Sequence, residues 1–147
     1  MRAYRVYAIE KGTVIDHIPA GKALKVVEIL KLDQFNKIVT VGMNLESKKL
    51  VRKDIVKIEN KNLSKQELNK IALIAPKVTI NIIKNHKVDE KFKIEIPDFM
   101  ENLVICPNPN CISRNEPTSS KFYKTKEKPL TLKCHYCEKG FKDFKLK

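Results

Sequence analysis

Hydrophobic and polar residues alternate over several short segments of the chain, which is the period of a β-strand. The alternation predicts strands at residues 4–9, 38–41, 50–58, 78–83 and 87–96, and a short apolar segment at residues 14–18 ends at Pro19. Polar turns at residues 46–49 and 84–86 separate neighbouring strands. A sheet is therefore expected in the first two-thirds of the chain.

Two segments have the period of an amphipathic helix instead. In residues 20–32 apolar positions recur every three or four residues, and Pro19 stands just before them. A second helix is expected after Ser64, because Ser64 and Glu67 have the spacing of a capping box, and to end at Ala75 before Pro76. The order βαββαβ with one extra strand predicts an α+β, ferredoxin-like antiparallel sheet with both helices on one face and the other face free.

All four cysteines lie in the last third of the chain, as two close pairs. Four residues separate Cys106 from Cys111, and two residues separate Cys134 from Cys137. Four thiolates in two turns can close a tetrahedral site around one Zn²⁺, and the 22 residues between the pairs can form a small β unit that brings the turns together. The pattern predicts one structural zinc per chain, with no open coordination position.

Two disulfides and a C-x-x-C redox centre are the alternatives. Disulfides need an oxidising compartment, and the first residues show no apolar leader, so a cytoplasmic location is expected. A redox pair would leave Cys106 and Cys111 without a role. His135, between two expected ligands, is predicted to be a surface residue because the four thiols suffice.

The length of 147 residues fits a domain of about 100 residues followed by a small metal-stapled one. Pro97 and Asp98 suggest the linker, so domains at 1–96 and 97–147 are expected. No apolar run approaches the roughly 18 residues of a membrane-spanning helix.

The formal net charge of +13 suggests an anionic partner. The lysines are spread singly, however, and aromatic residues make up only 7% with no tryptophan, which is a poor supply for a surface that stacks bases. A phosphorylated small molecule or an acidic protein would suit the charge equally well. A nucleic-acid-binding zinc-ribbon protein remains the alternative.

Few residues outside the cysteines have an obvious chemical role. The four glycines form no phosphate loop. Asp16 and His17 are either an acid–base pair or a locally satisfied strand end, and adjacent strand residues are expected to face opposite sides. Lys53 and Lys57 share one face of a strand, which is either solvated or a phosphate site.

Several longer stretches resemble one known family. They are KGTVIDHIP at 11–19, GMNL at 42–45, RKDIVKIEN at 52–60, CPNPNCI at 106–112 and LKCHYCEK at 132–139. In order and spacing they are similar to the regulatory chain of aspartate carbamoyltransferase, an enzyme of pyrimidine biosynthesis. The similarity covers nearly the whole chain.

The resemblance implies a non-catalytic, allosteric subunit. Its first domain would bind nucleotide effectors, with CTP and UTP inhibiting and ATP activating. Its zinc domain would dock on the catalytic chains, and homodimers of the regulatory chain would bridge catalytic trimers in a dodecamer. Neither nucleic acid nor membrane is an expected partner.

The resemblance also implies a nucleotide site. Ala8, Ile9 and Val14 would lie beside the base, Asp16 and His17 would reach ribose and phosphate, and Lys57 would reach the ribose or base edge. Lys53 would contact a phosphate or a second nucleotide, and Lys91 the triphosphate. The remaining residues of the implied site are Asn81, Ile83, Val88 and His86, the last at a turn position where the family can carry tyrosine.

Overall fold

The computed structural model describes residues 8–147, which divide into two compact units between Glu95 and Ile96. Residues 4–7 of the first predicted strand lie outside the described residues. Ala8 and Ile9 are described and belong to no strand, so the predicted end of that strand, at residue 9, is wrong. No helix among residues 8–147 is long and apolar enough to cross a membrane.

The N-terminal unit is a five-stranded antiparallel sheet with two helices. The elements are β1 (Gly12–Pro19), α1 (Ala23–Ile29), β2 (Val39–Glu46), β3 (Arg52–Glu59), α2 (Lys65–Ile74), β4 (Thr79–Lys84) and β5 (Lys87–Lys93). This sequence of elements confirms the predicted βαββαβ order, with β5 as the extra strand. In the sheet, neighbouring strands follow the order β2-β3-β1-β4-β5.

The core of this unit is built from one side of the central strands. Ile15, Val56 and Ile80 lie in one register row across β1, β3 and β4, and all three are buried. Because strand side chains alternate between the faces, their neighbours Val14, Ile55 and Asn81 point to the other face. Buried residues of α1 and α2, among them Val26 and Ile71, complete the core.

Helix α1 is shorter at both ends than the predicted span of 20–32. Gly21 has a φ of +94°, which glycine adopts without strain, and the chain turns there before the helix begins at Ala23. At the other end Lys31 adopts the left-handed conformation and a short 3-10 helix, Leu32–Gln34, follows. The predicted apolar face is correct at Ala23 and Leu30 but wrong at Leu24, which is exposed. The turn residues also cut the helix at both ends.

Helix α2 has the predicted capping box. The backbone N–H of Glu67 donates to Ser64 Oγ at 3.1 Å, and the backbone N–H of Ser64 donates to Glu67 Oε1 at 3.0 Å. The helix ends at Ile74, just before Ala75 and Pro76. Local sequence therefore decides both ends of this element.

Strands β2 and β3 meet in a hairpin whose turn lies later in the chain than predicted. β2 continues to Glu46 because a bulge at Asn44, with a φ of +60°, shifts its register against β3. Leu50 and Val51, which were predicted to open the second strand, lie in the turn instead.

Asp54 of β3 ties three parts of this unit together. Its carboxylate is fully buried and accepts backbone N–H bonds from Gly21 at 2.9 Å, Ala23 at 3.1 Å and Asn44 at 3.0 Å. The first two donors precede or open α1, and the third lies in the β2 bulge. A buried carboxylate is stable only when it is bonded in this way.

The C-terminal unit contains a four-stranded sheet of order β10-β9-β8-β6 and a two-stranded sheet of β11 and β7. The β8–β9 hairpin confirms the β unit expected between the cysteine pairs. Phe122 and Leu132, in these two strands, are fully buried. The elements are β6 (Phe99–Glu101), β7 (Val104–Ile105), α3 (Ile112–Asn115), β8 (Lys121–Glu127), β9 (Leu130–Cys134), β10 (Gly140–Phe141) and β11 (Lys145–Leu146).

We expect Asp54→Asn to lower the free energy of unfolding of the N-terminal unit by about 1–3 kcal/mol. Whichever way the amide is oriented, its NH₂ group faces at least one backbone N–H that now lacks an acceptor. Chemical denaturation followed by circular dichroism measures the change. The exposed Asp33→Asn is the matched control and should change stability by less than about 0.5 kcal/mol. Equal losses in the two variants would contradict the role given to Asp54.

Candidate functional site

The structure brings the four cysteines together in a single cluster. The sulfur atoms of Cys106, Cys111, Cys134 and Cys137 all lie within 4.8 Å of one another. The Sγ atoms of Cys106 and Cys137 are 3.7 Å apart, and those of Cys111 and Cys134 are 3.6 Å apart. A tetrahedron with metal–sulfur bonds of about 2.3 Å has edges of about 3.8 Å, so the four sulfurs fit one metal ion.

The separations and the four-thiol cluster favour a metal site over the two alternatives considered from the sequence. A disulfide needs sulfurs about 2.05 Å apart, and all four cysteines are free. A C-x-x-C redox pair would use Cys134 and Cys137 alone, whereas the structure adds Cys106 and Cys111 to the same cluster. The exposed His135 contacts Tyr123 through its Nδ1 and does not belong to the cluster, as predicted.

Each cysteine pair sits in a tight turn that the local sequence stabilises. In the first turn the backbone N–H of Cys111 donates to the Asn108 carbonyl at 3.1 Å, and Asn115 Nδ2 donates to the Cys111 carbonyl at 2.9 Å. In the second turn the N–H of Glu138 donates to the Cys134 carbonyl at 3.0 Å. These bonds hold each cysteine pair within its turn.

Backbone N–H groups also point at the sulfurs. Burial raises the pKa of Cys106 and of Cys134, and hydrogen bonds from nearby backbone amides oppose that rise. For Cys111 burial also acts to raise the pKa, but bonds from Ser113 and the neighbouring thiols outweigh it and lower the pKa to about 7. Metal ligation requires thiolates, so binding must release protons, chiefly from the two raised thiols.

The second candidate site is the sheet face that the helices leave open. Lys57, Val14, Asn81 and Lys91 are register partners across β3, β1, β4 and β5, so their side chains form one row on this face. Val14 of this row also belongs to an apolar floor, which it forms with Ile9, Ile55 and Ile83 and against which Leu45 packs.

One end of this face is polar and cationic. Lys53 Nζ lies 2.9 Å from Asp16 Oδ1, and the same carboxylate oxygen accepts the backbone N–H of His17 at 2.6 Å. His17 has a φ of +58° at a bulge in β1, and its Nδ1 lies 3.0 Å from Thr79 Oγ1. The bulge breaks the strand alternation, so the expectation that Asp16 and His17 act on opposite sides is wrong: both are next to Thr79.

The charged groups of this end perturb one another. Burial lowers the pKa of His17. The charges of Lys53, Lys49 and Lys91 lower this pKa further, and the charge of Asp16 opposes the shift. His17 is therefore neutral near pH 7. Burial also lowers the pKa of Lys57, again opposed by Asp16.

The other end of the face is less charged. The backbone N–H of His86, in the β4–β5 turn, donates to the Glu10 carbonyl at 2.8 Å, which ties the turn to the segment that contains Ala8 and Ile9. Val88 is the register partner of Ile83 and is about half exposed. The twelve residues of the implied nucleotide site therefore all lie on or beside this face.

Sequence reasoning missed Thr79 and Ile55 on this face. Thr79 lies two residues from Asn81 on β4, and Ile55 lies two residues from Lys53 on β3. Residues two apart on a strand share a face, so the sequence already indicated that Thr79 and Ile55 belong to this face. Leu45 was also missed, and it reaches the floor only because of the β2 bulge.

These features define a class: a two-domain protein in which a sheet with an open, cationic face precedes a small metal-binding domain. Comparison with known families agrees for both parts. The family model for the "Aspartate carbamoyltransferase regulatory chain, allosteric domain" matches residues 4–95. The model for the "Aspartate carbamoyltransferase regulatory chain, metal binding domain" matches residues 98–146.

Individual relatives carry the same name. The aspartate carbamoyltransferase regulatory chain of Pyrococcus abyssi is 54% identical over 145 residues, which are 97% of this chain and 95% of the relative. That of Thermococcus onnurineus is 52% identical over 97% of this chain and 95% of the relative. That of Chromobacterium violaceum is 48% identical over 92% and 90%.

The chain belongs to the family of aspartate carbamoyltransferase regulatory chains. It is a non-catalytic subunit with an allosteric domain and a metal-binding domain. The four clustered cysteines are the residues of the second domain that would hold the metal.

We expect Cys137→Ser to lose the metal and His135→Ala to keep it. The serine variant removes one of four ligands, whereas His135 lies outside the cluster although it is only two residues away. Metal content per chain, measured by elemental analysis after dialysis against a weak chelator, should fall at least tenfold in the first variant. If both variants retain the metal, or if both lose it, the four-thiol assignment is contradicted.

Proposed function

We propose that the open sheet face binds nucleotide effectors, with CTP and UTP acting as inhibitors and ATP as an activator. The observation that carries this proposal is the order of groups along the face. The row of Lys57, Val14, Asn81 and Lys91 lies between the less charged end and the cationic end, and the apolar floor includes Val14 of this row. A nucleotide has the same polarity, with a flat apolar base at one end and phosphates at the other.

The less charged end suits the base. The backbone near Ala8 and Ile9 offers N–H and C=O groups that can read a base edge, and Ile9, Val14 and Ile83 offer apolar contact. His86 and Val88 are exposed at the rim, where they can contact base or ribose. Lys57 lies next to this floor and can reach the ribose or the base edge.

The cationic end suits the phosphates. Lys91 and Lys53 can form charge-assisted hydrogen bonds to phosphate oxygens, and His17 can donate to one of them. Asp16 can accept from a ribose hydroxyl through an oxygen that its ion pair with Lys53 leaves available. Asn81, between Val14 and Lys91 in the row, can bond to the sugar or the α-phosphate.

The metal is proposed to be zinc, because four thiolates in a closed tetrahedron are a common structural zinc site. Cys106, Cys111, Cys134 and Cys137 would hold it, and it would supply stability instead of chemistry. We propose that the metal-binding domain docks on the catalytic chains, and that homodimers of this chain bridge catalytic trimers in a dodecamer. The match to the family over both domains favours this function over a nucleic-acid-binding zinc ribbon.

Regulation then follows from linkage. An effector changes the activity of the assembly only if it binds more tightly to one of the assembly's two states. CTP and ATP must therefore bias that equilibrium in opposite directions, although they share one site.

We expect Lys91→Ala to weaken CTP binding about tenfold, because one charge-assisted bond to phosphate is lost. Isothermal titration calorimetry of the zinc-loaded chain, with and without catalytic chains, measures the affinity. Lys25→Ala is the matched control, because this substitution removes the same charge. Lys25 is exposed on α1, which lies on the helix side of the sheet. Equal weakening in both variants would indicate a general charge effect and contradict the site.

We expect CTP binding to be accompanied by proton uptake at His17. Burial and three lysines lower the pKa of His17 in the free protein, and a bound phosphate would raise it again. The contribution of His17 to affinity should therefore be present at low pH and be lost as the pH rises above the pKa of the bound state. His17→Asn tolerates the positive φ and should remove this contribution. Calorimetry at pH 6 and pH 8 compares the two proteins, and identical pH profiles would contradict the role of His17.

A further inference from the structure

The chain passes from the N-terminal unit to the C-terminal unit through a very short connection. Ile94 is still bonded within the N-terminal unit: its N–H donates to the Val78 carbonyl at 3.2 Å, and its carbonyl accepts from the Lys77 N–H at 3.3 Å. Ile96 is the first residue of the C-terminal unit. Both isoleucines are buried, and only the exposed Glu95 lies between them. The connection therefore has little slack.

One lysine of β8 holds the beginning of the C-terminal unit. Lys124 Nζ donates to the Ile96 carbonyl at 3.2 Å, and the backbone N–H of Lys124 donates to the Asp98 carbonyl at 2.9 Å. The same amine lies 3.4 Å from Asp98 Oδ1 and 3.7 Å from Glu127 Oε1. We call Lys124, together with the carbonyls of Ile96 and Asp98 on either side of Pro97, the Lys124 clamp.

The bond to the Ile96 carbonyl is the strongest part of the clamp. The Lys124 side chain is only 18% exposed, whereas the side chains of Asp98 and Glu127 are 94% and 56% exposed. Ion pairs with carboxylates as exposed as these contribute little. The bond to the Ile96 carbonyl is partly buried, and its donor is charged, which makes a hydrogen bond stronger.

Regular secondary structure does not restrain this part of the chain. Residues 94–97 belong to no helix or strand, and Pro97 has no N–H with which to join one. The preceding residue, Ile96, is restricted by the proline to an extended conformation, which leaves its carbonyl free to accept from a side chain. Lys124 supplies the bond that the backbone does not.

Strand β8 connects the clamp with the metal cluster. Lys124 is the register partner of Leu132, and Phe122, two residues earlier, is the partner of Cys134. Phe122, Leu132 and Cys134 are fully buried. Because a packed interior is dense and deforms little, a displacement of Ile96 would act on the strand pair that ends in the second cysteine turn.

We infer that Lys124 is a positioning residue for allostery: it fixes the start of the C-terminal unit, so that a displacement caused by effector binding reaches the metal-binding strands. The inference rests on the proposed effector binding and on the proposed docking to catalytic chains. Without the clamp, residues 95–98 would absorb part of the displacement through rotation of their own backbone. Effectors would then still bind, but the coupling free energy between effector and catalytic sites would be smaller.

The test uses three variants of the full metal-loaded chain. Lys124→Met removes the amine and keeps a long apolar side chain. Lys124→Arg is the conservative variant, because its guanidinium can still donate to the Ile96 carbonyl. Lys126→Met is the matched control, since it makes the same change at an exposed position of the same strand.

The first measurement is the response of the assembly with catalytic chains to saturating CTP, expressed as the ratio of activities without and with CTP. We expect Lys124→Met to reduce this response about threefold to tenfold, and Lys124→Arg and Lys126→Met to change it less than about twofold. The affinity of the free chain for CTP and its metal content should be unchanged in all variants. A native response in Lys124→Met, or a loss of CTP affinity or metal along with the response, overturns the inference.

The second measurement needs no effector and no catalytic chain. Hydrogen–deuterium exchange followed by mass spectrometry should show the amides of residues 95–99 exchanging about tenfold faster in Lys124→Met than in the native chain and in Lys126→Met. Exchange in helix α2, which lies in the other unit, should not change. Equal exchange at residues 95–99 in all proteins overturns the clamp.

The two measurements also separate this inference from the proposed function. If the native assembly does not respond to CTP, the proposed function and the role of Lys124 in coupling are both overturned. If the native assembly responds and Lys124→Met responds equally, the proposed function stands and the inference is overturned. A smaller response together with faster exchange, at unchanged CTP affinity, supports both.

Discussion

The buried carboxylate of Asp54 is the interaction on which the arrangement of the N-terminal unit depends. Within residues 8–147 it has no ionic partner, and it accepts hydrogen bonds from the backbone N–H groups of Gly21, Ala23 and Asn44. These bonds hold the start of α1 and the bulge of β2 against β3. The next residue on either side, Lys53 or Ile55, faces the open side of the sheet. A bond on the core side thus fixes the strand that carries part of the site.

The C-terminal unit depends on a different constraint. With about 50 residues it can bury only a small apolar core, centred on residues such as Phe122 and Leu132. Four sulfurs within 4.8 Å of one another come from two turns that are far apart in sequence, so a metal held there crosslinks the unit. Because all four thiols can serve as ligands, no coordination position is left for catalysis, which agrees with a non-catalytic chain.

The positions of the charged side chains are more informative about the partner than the net charge of the protein. A net charge of +13 spread over both units could serve many anionic partners. On the open sheet face, however, Lys53 is neutralised by Asp16, whereas Lys91 lies in a row with Asn81 and Val14. The proposed nucleotide site rests on this separation of a paired lysine, an apolar floor and the lysine-containing row on one face.

The sequence by itself determined the order of the elements, the capping box of α2, the four thiol ligands and the family, because each depends on residues close together in the chain or on long matching stretches. The tertiary structure decided the limits of α1 and the bulges at His17 and Asn44. These features depend on contacts between residues distant in sequence. A bulge in particular reverses the alternation on which strand prediction is based, so its effect on the site can be read only once the strands are paired.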